Sequence, residues 1–224
     1  MKMTMDQTLP DGISLGVTDI HFTNQARSPE MWRDLLDPLD TLISSNDSLE
    51  TIRQDPRIMA TKQIYKQAGK DPARFRPSSD SLWRRVAKGK GIYQINALVD
   101  LNNYLSLRFK FPFGSYDVDH IDGDVQLTTG SAGQQYAGIG KSMVNIENLL
   151  VLADRQGPFG SPTSDSTRAM ITEKTQHALI VAYLFGADNQ QANAIQATVK
   201  QMVMKYLDHV TDVTQQIVNE PPVL

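Results

Sequence analysis

Two apolar runs constrain this chain more than anything else in it: LLVLA at 149–153 and ALIVAYLF at 178–185. Each falls far short of the ~20 residues that a membrane helix needs. Each is therefore a segment to be buried inside a folded unit. The stretch between them, from Gly157 to Thr172, has the opposite character. GPFGSPTSDSTRAMIT carries two Gly, two Pro, Asp165, Arg168 and six hydroxyl side chains (Ser161, Thr163, Ser164, Ser166, Thr167 and Thr172). A long polar loop pinned between buried segments is where binding groups tend to sit. The same composition also describes a solvated connection full of turn residues, and composition does not choose between the two.

The 224 residues suit one ordinary domain. The expected division is a helical N-terminal part to about 75, a core from about 76 to about 186, and a C-terminal helix from about 188 to about 210. Cysteine is absent, which excludes a disulfide scaffold, thiol catalysis and thiolate zinc sites. The first residues lack the apolar core of an export signal, so the chain is expected in the cytoplasm with no membrane partner. Net charge is −3, which argues against a generally basic nucleic-acid binder. The charge is unevenly spread, however. From Arg57 to Ile92 ten Lys and Arg face only Asp71 and Asp80, so that segment carries +8 and the remainder −11. This asymmetry matches a phosphate-facing patch on an otherwise acidic protein. A solvated basic face with no partner is the other reading.

Periodicity outlines an α+β chain. Residues 13–22 alternate loosely and suit a strand. Ser28-Pro29 opens a helix that Pro38 must kink or divide. A helix over about 57–68 would bury Thr61, Ile64, Tyr65 and Ala68. Ser78 or Ser79 begins another with Leu82 and Val86 inward. Asn96 is placed to cap a third, with Ala97, Leu101, Tyr104 and Leu105 as its apolar stripe. Strands and turns follow to about 185, and then a helix with Ala192, Ile195, Val199, Met202 and Tyr206 at steps of three and four.

Generic catalytic signatures are missing: no phosphate-binding loop, no dinucleotide-type glycine motif, no HExxH. The histidines (His21, His120, His177, His209) are scattered, and none pairs with another at ligand spacing, so no metal and no cofactor is expected. The block that carries information is 76–127. Within it, INALVDLNNY, FPFGSYD and IDGDV have the order and spacing of the B3/B4 editing domain in the β chain of bacterial phenylalanyl-tRNA synthetase. The chain is still more similar to small free-standing proteins with this domain, which resemble it from about residue 50 onward. That similarity takes in YKQAG, RPSS, the RRVAKGKG run and GPFGSPTSD.

The resemblance implies a mixed β-sheet or sandwich core with flanking helices at both ends. It also implies hydrolysis of a mischarged aminoacyl-tRNA ester in trans, by positioned water without metal or covalent nucleophile, with the aminoacylated 3′ end of a tRNA as partner and no DNA. Such chemistry asks for positioning and oxyanion stabilisation, which backbone N–H groups and hydroxyls supply. The family's Gly-x-Phe-Gly turn is kept as Gly157-Pro158-Phe159-Gly160. Its pocket His is replaced by Gly114, a pocket Arg by Tyr93, and the Glu that reads the tyrosine hydroxyl by Val181; a later Thr-Asp-Ala segment has no counterpart. Tyrosine editing as such is therefore not implied, because a site loses selectivity for a hydroxyl without its partner.

The candidates that remain are Asp165, Ser164 and Thr163 for catalysis. Tyr93, Asn96, Asp100, Asn103, Gly114, Ser115, Tyr116, Asp117, Gly160 and Ser161 are the candidate pocket, and Arg84, Arg85, Lys88, Lys90 and Arg168 the candidate tRNA contacts. Plain structural roles are open to several: Asn96 as a helix cap, Tyr116 as core, Asp117 and Asp165 in turns, Arg168 paired with an acid. Two other functions fit the same residues, a non-catalytic tRNA-binding or RNA-binding module and an amino-acid-binding protein. The deciding observation is whether residues 111–117 and 157–172 line a common cavity of amino-acid size.

Overall fold

The computed structural model describes residues 1–219. Its strands are β1 (Met3–Met5), β2 (Ile13–Thr23), β3 (Phe113–Asp117), β4 (Val125–Thr129), β5 (Gln135–Ala137), β6 (Met143–Asn145), β7 (Leu150–Asp154), β8 (Gly157–Gly160), β9 (His177–Phe185) and β10 (Asp208–Asn219). Its helices are α1 (Pro29–Met31), α2 (Asp37–Asn46), α3 (Leu49–Gln54), α4 (Pro56–Gln67), α5 (Ser78–Ala87), α6 (Ala97–Phe109) and α7 (Asn189–Tyr206). The architecture is α+β, and no helix among the described residues is long and apolar enough to cross a membrane.

One sheet has the order β10–β2–β9–β3 and is antiparallel throughout. The other has the order β1–β4–β7–β8, with β1 parallel to β4. β5 and β6 form a separate hairpin. Successive residues of a strand point to opposite faces. Ala178, Ile180, Ala182 and Leu184 of β9 accordingly join a core with Leu101 and Leu105 of α6 and Ile195 and Val199 of α7. Leu179, Val181, Tyr183 and Phe185 face the second sheet, against Leu150, Leu152 and Phe159. The run ALIVAYLF is apolar throughout because both its faces are covered. A third, smaller core joins Ile43, Ile52, Ile58, Leu82, Trp83 and Val86, and it carries the helices of the basic segment.

The helical expectations at α4 and α6 hold at their buried positions: Thr61, Ile64 and Tyr65 in α4, and Ala97, Leu101, Tyr104 and Leu105 in α6. The division at Pro38 takes the form of a π-helical turn over Trp32–Leu36, between α1 and α2. A proline cannot donate to the carbonyl four residues earlier and crowds it, and a wider turn just before it relieves both problems. The two ends of the chain differ from expectation. β1 and β2 belong to the two sheets, so the N-terminal part is not purely helical. The expected C-terminal helix stops at Tyr206, and the chain returns as β10 along the open edge of β2.

Gln196 of α7 is buried where helix and sheet meet. Its Nε2 donates to the Val17 and Gln216 carbonyls at 2.9 and 3.2 Å, and its Oε1 accepts from the Thr18 hydroxyl at 3.2 Å. It lies directly over Gly16, where a Cβ would come within 3.0 Å of its side chain. Gln196→Ala removes the partner of these groups and is expected to destabilise the protein by about 1–3 kcal/mol, read from urea unfolding.

Candidate functional site

Asp80, in the first turn of α5, has no exposed surface. A carboxylate so enclosed needs cations, and three supply it. Lys62 Nζ of α4 lies 3.0 Å away, Arg76 Nε lies 3.8 Å away, and Arg84 Nε is bonded one turn along α5. Arg85 folds the chain that follows. Its Nε and Nη2 donate to the Gly91 and Lys90 carbonyls at 2.9 Å each, and its guanidinium lies 3.9 Å from the centre of the Tyr93 ring. Arg84 and Arg85, both candidate tRNA contacts, are thus partly committed to shaping the segment.

That segment walls a cleft of about 870 Å³. Seven of its lining residues are basic (Arg74, Arg76, Arg84, Arg85, Lys88, Lys90 and Lys141), and none is acidic. The ammonium groups of Lys88, Lys90 and Lys141 have no partner among the described residues and are open to a ligand. Tyr93 stands at the cleft half exposed. Two residues of the lining carry a buried side-chain oxygen with no partner among the described residues, Ser78 Oγ and Asn102 Oδ1. The Asn102 amide nitrogen is fixed by the Phe113 carbonyl at 3.1 Å, which leaves its oxygen free to accept.

The space between β3 and the loop after β8 is filled. Tyr116 of β3 packs edge-on against Phe159, and its hydroxyl meets Asp165 Oδ1 at 2.9 Å and the Tyr183 hydroxyl at 2.8 Å. Its ring occupies the positions that a Cβ on Gly114 or on Gly160 would need. Gly114 and Val181, where the resemblance expects a His and a Glu, are register partners across β3 and β9. That pair is now apolar and covered by Tyr116. From residues 111–117 and 157–172, only Phe113 and Thr163 reach the cleft.

The loop itself is held tightly. Ser161 Oγ accepts from the Thr163 and Ser164 amides and donates to the Ser164 carbonyl, and Tyr136 donates to that carbonyl at 2.5 Å. The Thr163 hydroxyl is 2.8 Å from that of Tyr65. Burial pushes the Asp165 carboxyl up to about 6, against hydrogen bonds from the Ser161 amide and the Tyr116 hydroxyl. Burial likewise raises the Tyr116 and Tyr183 hydroxyls well above the usual phenol range. Asp165 and Ser161 are thus bonded within the fold, and of the three catalytic candidates Thr163 alone lines the cleft.

Of the other candidates, Asn103 and Tyr93 line the cleft. Asn96 caps α6 by accepting from the Val99 amide at 3.1 Å. Asp100 is buried, bonded to Trp32 Nε1 at 2.7 Å and the Ile95 amide at 2.8 Å; burial raises its pKa against those two bonds. Asp117 accepts from the Thr175 hydroxyl at 2.7 Å and caps the short 3₁₀ turn over Val118–His120. Ser115 points to the opposite face of β3 from Gly114 and Tyr116. Arg168 grips Asp154 with two bonds of 2.8 Å and the His120 and Gly157 carbonyls besides. Against burial, this contact and the Asp122 amide hold the Asp154 carboxyl below its ordinary range. Arg168 is therefore a clamp on the β7–β8 hairpin and not a cleft residue. Arg74 and Arg76 were legible only as part of the basic segment, while nothing local marks Ser78, Asn102 or Lys141 as a cleft residue. The histidines are corrected as well, because His21 and His177 meet as register partners on β2 and β9.

Residues 60–218 match the family model described as the B3/4 domain. A phenylalanine–tRNA ligase beta subunit of Legionella pneumophila is 28% identical over 108 residues, 46% of this chain and 14% of its own. That of Neisseria meningitidis is 30% identical over 115 residues, covering 44% of this chain and 15% of its own. The chain thus corresponds to about a seventh of the length of these curated relatives. Among solved structures, an N-terminal fragment of the phenylalanyl-tRNA synthetase beta subunit from Pyrococcus horikoshii has a TM-score of 0.44 at 11% identity. It covers 97% of this chain and 50% of its own.

Because the folded state favours the protonated Asp165, its contribution to stability is complete below pH ~4 and lost as pH rises through about 6. Asp165→Asn keeps an acceptor and removes the buried charge. The variant is expected to gain stability over the parent at pH 8, by up to ~3 kcal/mol, and to gain little at pH 4. Thermal unfolding across that range reads the difference.

Proposed function

The chain belongs to the B3/4 domain family, and from that membership we propose that it is a tRNA-binding protein that takes the 3′ end of the RNA into its basic cleft. The observation that carries this reading is the lining, with seven basic side chains and no carboxylate. On a chain of net charge −3 such a concentration is local, and it is the electrostatic footprint expected of phosphate binding. Tyr93 adds to it. Arg85 covers one face of the ring and the residue is 50% exposed, so a base has a surface on which to stack. The relatives are named for ligating phenylalanine to tRNA, which makes tRNA the first RNA to test.

The filled space between β3 and the loop favours binding over chemistry, since Tyr116 occupies the volume that an aminoacyl group would take there. One observation favours a second reading, hydrolysis of an aminoacyl ester on the bound RNA. Ser78 and Asn102 of the lining each carry a buried oxygen with no partner among the described residues, and Thr163 belongs to the same wall. Those groups would orient a water or the terminal ribose there.

Two experiments follow from these readings. Filter binding of tRNA should weaken steeply with salt, and replacing Lys88 and Lys90 together by Ala should weaken it further and reduce the salt slope by about two. Undiminished binding by that variant would remove the cleft from the interface. Incubation with a panel of aminoacyl-tRNAs decides the second reading: ester loss above buffer that falls in Asn102→Ala supports hydrolysis, and no turnover on any member leaves a binding protein.

A further inference from the structure

β2 and β9 bring three potential metal ligands to one point at the end of the sheet remote from the cleft. His21 and His177 are register partners, and Asp19 lies two residues before His21 on the same face of β2. The imidazoles stack with centroids 3.9 Å apart and planes at 19°. His177 Nε2 is 2.8 Å from Asp19 Oδ1, and the donor atoms of all three residues lie within 4.8 Å of one another. We propose that Asp19, His21 and His177 form a binding site for a divalent transition-metal ion of the zinc class.

Four features support it. First, a hydrogen bond between Asp19 and His177 has no need of a second imidazole, yet the His21 ring sits against that pair with no hydrogen-bond partner among the described residues. Second, zinc bonds to imidazole nitrogen and carboxylate oxygen are about 2.0–2.2 Å long, so tetrahedral ligand atoms lie roughly 3.4 Å apart. The hydrogen-bonded pair is a little closer than that and the cluster as a whole a little wider, so rotamer adjustments close it without moving the strands. Third, the backbone beneath is a continuous antiparallel ladder from Ile13–Phe185 to His21–His177, which holds the side chains in fixed relation. Fourth, Asp212, the register partner of His21 on β10, brings a further negative charge to the rim.

Two imidazoles and one carboxylate select zinc or its neighbours over magnesium and calcium, which prefer oxygen alone. His21 is exposed, so the fourth coordination position faces water. The site is separate from the RNA cleft. On β9, His177 marks one end of the sheet, while Ala182 pairs with Phe113, the cleft residue, towards the other.

The test uses full-length protein without a histidine tag, stripped with chelator. Titration with ZnCl₂ in a calorimeter should show one equivalent bound, and CoCl₂ should give the visible absorption of a low-coordinate site. His21→Ala and His177→Ala should each weaken binding by more than the roughly 10–100-fold that loss of an outer-shell partner costs. The double variant should abolish it while its circular dichroism stays that of the parent. Zinc should also raise the melting temperature of the parent and not of the double variant. No binding by the parent, binding undiminished in the double variant, or displacement by equimolar magnesium would each overturn the proposal.

Discussion

β9 has no exposed face, and the other layers are arranged to keep it so. Its odd-numbered residues, Leu179 to Phe185, press on the second sheet, and its even-numbered residues, Ala178 to Leu184, press on α6 and α7. Burying such a strand stabilises by about 1.5–3 kcal/mol for each large apolar side chain. It also demands cover on both sides, which a single sheet or a helical bundle does not supply. Ala178 and Ala182 stand on the helix side, where small side chains let α6 and α7 come close. Tyr183 stands on the sheet side, and its buried hydroxyl finds its partner in Tyr116.

That tyrosine contact redirects the molecule's chemistry. With Gly114, Gly160 and Val181 around it, Tyr116 seals the region between β3 and the loop, and the loop's polar groups turn inward to satisfy one another. The open volume lies instead beside α5, where one buried carboxylate gathers Lys62, Arg76 and Arg84. The charges left over from that cluster, those on Arg74, Arg85, Lys88, Lys90 and Lys141, give the cleft its sign.

What was legible in the sequence was local. The buried stripes of α4 and α6, the Asn96 cap and the apolar run of β9 all follow from spacing or from side-chain chemistry within a few residues. β10 was not legible. It is an edge strand in which only Val210, Val213, Ile217 and Val218 pack inward, among polar neighbours, so its alternation is weak. The loop at 157–172 was recognisable as a loop from Ser161 onward, but its first four residues, Gly157–Gly160, form β8. That its carboxylate would be tied by Tyr116 depends on a pairing between residues 49 positions apart, which no local pattern encodes. The same limit hid the meeting of His21 and His177. The basic segment announced its charge, but not which of its cations Asp80 would consume.

The placing of β10 bears on how the chain reaches this structure. β2 is paired on one side with β9 and on the other with β10, so that Ser14 meets both Leu184 and Asn219. An early strand waits for the two latest ones, and the loops to be closed span most of the chain. Such non-local pairing raises the contact order, and folding slows as it rises. On a ribosome β2 would be made first and stay without either neighbour until nearly all of the described chain had emerged. Both of its hydrogen-bonding edges would be open for that interval. This sheet therefore cannot be completed until β9 and β10 are both present.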